Sequence, residues 1–69
     1  MSKFAERLKE LRKNIHKTQK QVAELTGLPV TSIEAYENDK HQPSIFAAIV
    51  LADFYKVSLD YLTGRTDNK

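Results

Sequence analysis

Thr18-Gln-Lys-Gln-Val-Ala-Glu-Leu-Thr-Gly27-Leu-Pro-Val-Thr-Ser-Ile-Glu-Ala-Tyr-Glu-Asn38 is the stretch that decides the fold. It reads as two short helices hinged at one glycine. Thr18 is placed to cap the first helix, and Gln21, three residues on, can reach back to complete a capping box. Val22 and Leu25 give that helix an apolar edge, while Ala23 is small enough for a second helix to cross closely. Gly27 can take the left-handed conformation that ends a helix without a Cβ clash. Pro29 then falls where the next helix begins, since its ring is tolerated in a first turn but not in an interior. Ile33 and Tyr36 set the inner face of the second helix. Taken alone, the pattern also describes any αα-hairpin of a small bundle.

Outward from this stretch the apolar spacing is helical throughout. Phe4, Leu8, Leu11 and Ile15 stand 4, 3 and 4 apart, one face of a first helix over about residues 2–13. Residues 14–17 connect it to the motif helices, expected at about 18–26 and 29–37. Residues 39–43 form a loop, and Ser44 caps a fourth helix running to about Tyr55. Ser58 caps a short fifth helix that stops at Gly64. No segment alternates with period two for long enough to be a strand, so the fold expected is all-α, a compact five-helix domain. That domain should span residues 1–64. Residues 65–69 are a tail, either a natural end or a boundary before a further effector or oligomerisation domain.

The fourth helix has two apolar sides. Ile45, Ala48, Ala52 and Tyr55 make one stripe, flanked by Ile49 and Leu51, and this stripe is expected to face the core. Phe46, Val50 and Phe54 lie roughly opposite. In so small a domain something must cover that second ridge. Either the fifth helix folds over part of it, with Phe54 meeting Tyr61, or Phe46, Val50, Phe54 and Tyr61 form a dimer or partner surface.

Composition narrows the function classes. A 69-residue chain buries only ~60% of its unfolded surface and has a thin stability margin. It has no cysteine, which removes disulfides and thiolate metal sites and fits a cytoplasmic protein. No run of about 18 apolar residues exists, and Met-Ser-Lys-Phe-Ala-Glu at the start holds no signal core. His16 and His41 lack partners at metal-ligand spacing, and two glycines cannot build a phosphate loop. No enzyme, metal or cofactor reading is supported. The net charge is only +2, but residues 1–20 carry seven Lys/Arg against Glu6 and Glu10, whereas residues 21–69 carry four against seven acids. Most of these cations suit solvated helix faces; Lys17 and Lys20 stand at the entry to the motif.

The chain resembles the helix-turn-helix of the Cro/cI-type (XRE-type) phage and bacterial repressors. The residues that carry the likeness are Gln19, Ala23, Gly27, Ile33 and Tyr36-Glu37-Asn38. It extends through Arg7-Leu8-Lys9-Glu10-Leu11-Arg12, Pro43-Ser44 and Val57-Ser58-Leu59-Asp60-Tyr61-Leu62 and covers about residues 4–64. The resemblance implies a DNA-binding transcriptional regulator, expected to be a repressor that binds a two-fold operator in double-stranded DNA as a homodimer. Residues 29–37 would then lie in the major groove. An antitoxin-like interaction module with weak DNA binding is the alternative.

The resemblance also implies which residues meet DNA. Gln19 would contact phosphate at the start of the first motif helix, with Thr18 and Lys20 beside it; capping alone also accounts for Thr18. Pro29, Val30, Thr31, Glu34 and Ala35 match base-reading positions. This set lacks the Arg, Lys, Asn or Gln that grip purines bidentately, offering instead methyl groups suited to thymine and a carboxylate for a cytosine amine. Ser32, Asn38 and Lys40 fall at phosphate positions, with His41 and Gln42 nearby. Glu34, Glu37 and Asp39 make residues 28–39 acidic without a cation, so a single copy is expected to bind modestly. Arg12 and Glu37 match positions that form a structural ion pair tying the first helix to the end of the reading helix.

Overall fold

The computed structural model describes residues 2–69 and contains five helices: α1 (Lys3–Asn14), α2 (Gln19–Thr26), α3 (Val30–Glu37), α4 (Ile45–Tyr55) and α5 (Leu59–Leu62). Among the described residues there is no strand. Four helices start under a hydroxyl. Ser2 accepts from the Ala5 amide at 3.2 Å, Ser44 from Ala47 at 3.1 Å and Ser58 from Tyr61 at 3.0 Å. Thr18 completes a reciprocal box, its hydroxyl accepting from Gln21 N–H at 3.1 Å and its own N–H donating to Gln21 Oε1 at 2.8 Å. Each such cap is worth about 1 kcal/mol. Pro29 stands one position ahead of the expected first turn, in extended conformation at the N-cap of α3 and with no side-chain cap.

Gly27 closes α2 at φ +79°, and α3 then crosses α2 and α1. The core holds Leu8, Leu11, Val22, Ile33, Leu51 and Leu62, with the smaller Ala23 and Ala52 between them. Phe4 meets Tyr36 edge to face at 6.1 Å, joining α1 to α3.

Four expectations need correcting. On α4 the buried face is Ala47, Ala48, Leu51 and Ala52, whereas Ile45 is 61% exposed and Ile49 also faces water. Three alanines let α4 lie close to α2 and α5, an approach that a face bearing Ile45 would prevent. Leu25 is 60% exposed, so the inner edge of α2 rests on Val22 and Ala23. Ile15 caps the C-terminus of α1 and leaves the helical phase, so it too is exposed. Tyr61 is buried within the core and cannot line a partner surface. Of its expected companions, Phe54 is half-buried against Tyr55, with ring centroids 4.9 Å apart, and Val50 is half-buried. Phe46 stands 77% exposed.

Candidate nucleic-acid interface

The end of α3 is fixed by one carboxylate. Glu37 is 1% exposed and receives Arg12 through both oxygens, Nε to Oε2 at 2.8 Å and Nη2 to Oε1 at 3.0 Å. This fork-on-fork geometry restrains angle as well as distance. Arg12 Nη1 donates in turn to the Lys17 carbonyl at 3.0 Å. Gln19 Nε2 donates to Glu37 Oε1 at 3.2 Å. Thus α1, the α1–α2 loop and the first residue of α2 all converge on the last residue of α3. The Tyr55 phenol is pushed up to about 12, first by burial and then by the Glu37 charge, with Arg12 partly opposing.

Gln19 therefore has one amide proton committed inward, leaving its other proton and its oxygen for anything outside. Lys17 and Lys20 are exposed beside it. Along α3, Pro29, Thr31 and Glu34 are exposed, and Ser32 and Ala35 are half-buried. Val30, expected to face outward with them, packs partly against the core. It precedes buried Ile33 by three positions, so the same stripe carries both. Asn38, Lys40, His41 and Gln42 are exposed on the turn that follows. A shallow concavity lined by Thr31, Ser32, Tyr36, Lys40, His41 and Gln42 joins α3 to that turn. Its hydroxyls, amide and ammonium are donors suited to phosphate oxygens.

The acidity of residues 28–39 is offset at one of its three acids. Glu37 is neutralised from within by Arg12. Asp39, in left-handed conformation at φ +61°, turns its carboxylate to the start of α1. There it accepts from Ser2 N–H at 3.0 Å and Ser2 Oγ–H at 2.9 Å. The backbone bond first, and the hydroxyl second, hold this carboxyl below its usual range. Glu34 and Asp39 both stay exposed and charged, Asp39 with its carboxylate turned towards the start of α1.

Two arrangements had not been anticipated. The Ser2–Asp39 clasp joins residues 37 apart and leaves no local signature. Buried Arg7 does leave a signal: it lies four positions before Leu11, on the inner side of α1. Among the described residues no group of His, Cys, Asp and Glu can hold a metal ion, and no helix is long and apolar enough to cross a membrane.

A glycine-hinged helix pair whose second member is clamped at one end and exposed along one side is the architecture of a helix-turn-helix domain. A family model described as helix-turn-helix matches residues 8–62, and the chain belongs to that family, in its Cro/cI (XRE) branch. It is 40% identical over 63 residues to the transcriptional repressor RstR of the cryptic phage CTXphi of Vibrio cholerae, covering 91% of this chain and 56% of that protein. Against the uncharacterized HTH-type transcriptional regulator YobD of Bacillus subtilis the identity is 37% over 65 residues, covering 94% and 58%. Against the HTH-type transcriptional regulator ImmR of the same organism it is 36% over 64 residues, covering 93% and 50%. The chain thus spans about half the length of the curated relatives it matches.

Proposed function

We propose that this chain is a sequence-specific DNA-binding transcriptional regulator of the repressor kind, acting in the cytoplasm. The observation that carries the reading is the clamp on Glu37. A helix whose last residue is gripped from α1 and α2, while Pro29, Thr31 and Glu34 face water, is a rigid element presented outward. Rigidity of this kind lets a helix enter the major groove without losing further conformational entropy. Thr18, Gln19 and Lys20 then sit on the sugar–phosphate backbone at the start of α2, where free N–H groups add positive potential. Thr31, Glu34 and Ala35 read base edges, with Pro29 and the half-buried Val30 beside them. Ser32, Asn38 and Lys40 hold the phosphates across the groove.

Two copies, set about 34 Å apart on one face of the duplex, would read a two-fold operator, and repression follows from occluding polymerase. The exposed side of α4 around Phe46 is the surface through which the copies would meet. That same side supports a second reading, an antitoxin-like module that uses it for a protein partner and binds DNA weakly.

Selection of sites from a random DNA pool tests the proposal. A two-fold symmetric product is expected, with binding that falls as salt rises at a log–log slope of about −0.9 per phosphate neutralised. Gln19→Ala should weaken binding to all sequences alike, whereas Thr31→Ala should change sequence preference. A pool that returns no enriched sequence, with weak binding at low salt, would favour the interaction module.

A further inference from the structure

Arg7 is a buried cation that DNA recognition does not use. It is 8% exposed, and both terminal nitrogens of its guanidinium are engaged. Nη1 donates to the Tyr61 carbonyl and to the Thr66 carbonyl, the latter at 2.6 Å. Nη2 donates to Asp67 Oδ1 at 2.6 Å. Its Cζ lies over the Tyr61 ring, 4.0 Å from the centroid. Further along, Ser58 N–H donates to the Lys69 carbonyl at 2.9 Å, and Lys69 Nζ lies 5.9 Å from the centroid of that same Tyr61 ring. Arg65 and Thr66 amides both return to the Asp60 carbonyl. Gly64 makes the reversal possible at φ +85°, its Cα so close to α1 that an added Cβ would stand 2.7 Å from Lys3 Cβ. Residues 64–69 therefore double back over α5 and finish beside its N-terminus.

We infer that residues 64–69 are a strap and that Arg7 is its latch, so that the segment following α5 is held at a fixed place and in a fixed direction. The latch works through carbonyls. Asp67 has 89% of its side chain exposed, and an ion pair with so exposed a partner contributes little. The Tyr61 and Thr66 oxygens are backbone acceptors at the end of α5 and within the strap, and a planar fork can hold both while stacking on an aromatic ring. An ammonium point charge cannot do all three. One side chain on α1 thereby ties together α1, α5 and the segment that follows.

Trypsin reports on the latch directly, because Arg65 lies within the strap and Lys17 outside it. In the 69-residue chain, Arg7→Lys should speed cleavage after Arg65 at least about tenfold and leave cleavage after Lys17 unchanged. Asp67→Ala should change the Arg65 rate by no more than about twofold. Equal Arg65 rates in the parent and Arg7→Lys would overturn the latch, and so would a tenfold rise in Asp67→Ala, which would make the carboxylate the holding group. Should Arg7→Lys accelerate both sites, as a loosened fold would, the parent chain decides. Backbone 15N heteronuclear NOEs for residues 65–69 close to those of α1 sustain the strap, and values of a freely moving end overturn it.

Discussion

Glu37 shows how much one side chain can organise. A carboxylate taken out of water is tolerable only when its oxygens are paired, and here Arg12 and Gln19 supply the partners. Glu37→Ala would strip Arg12 of its counter-charge while leaving it the Lys17 carbonyl. The expected cost is about 3 kcal/mol, the lower end for breaking one side of a buried pair. In a domain of this size that corresponds to a fall in Tm of roughly 12–24 °C, readable by circular dichroism. An unchanged Tm would mean the pair contributes little. Tyr55 gives a second prediction from the same cluster. Its proton is bound more tightly in the folded chain than in the unfolded one, where its pKa is ~10. The resulting stability is complete below pH 10 and is lost as pH rises from there towards about 12. Urea midpoints for the parent chain should therefore fall more between pH 9 and 11 than those of Tyr55→Phe; parallel falls would remove the assignment.

At the scale of elements, the glycines separate two kinds of constraint. Gly27 and Gly64 both have positive φ, but nothing lies within 4 Å of a Cβ built at Gly27. Gly27→Ala should cost about 1 kcal/mol from backbone conformation alone. Gly64→Ala adds a collision with Lys3 and should cost measurably more, a ranking that paired denaturation curves would reverse if α1 yields easily. The same scale shows why some elements are legible in sequence and others are not. Thr18, Gln21 and Gly27 act on backbone three or four residues away, so the limits of α2 can be read locally. The phase of α4 cannot. Ten of the eleven residues of Ile45-Phe-Ala-Ala-Ile-Val-Leu-Ala-Asp-Phe-Tyr55 are apolar, and Asp53 alone gives periodicity too little to orient the helix. Close approach to α2 and α5 then selects the alanine face, and bulk turns outward. Val30 reads outward from its position in the motif, yet Ile33 on the same stripe draws it inward. The Ser2–Asp39 clasp is a tertiary meeting that no local pattern announces.

For the molecule as a whole, the question is what the outward side of α4 meets. Ile45, Phe46 and Ile49 are exposed on one helix with no charge between Ser44 and Asp53, so two copies could approach there without like-charge repulsion. Phe46→Glu with Val50→Glu should lower self-association in sedimentation equilibrium and weaken binding to a two-fold site more than to a half-site. Unchanged sedimentation, from a protein that already associates, would place the contact elsewhere. The α3 side shows a different whole-molecule effect. Residues 28–39 look hostile to phosphate when summed along the chain, but folding neutralises Glu37 against Arg12 and turns the Asp39 carboxylate, still charged, towards Ser2. Charge counted along a sequence is a poor guide to the potential that a partner meets.

The alanines by which α4 reaches its neighbours have a consequence for descent. A larger side chain at Ala47, Ala48 or Ala52 would wedge the helices apart, whereas the water-facing positions of that helix can vary without disturbing the scaffold. A frame of this kind leaves that side of α4 open to change while α3 stays held as it is.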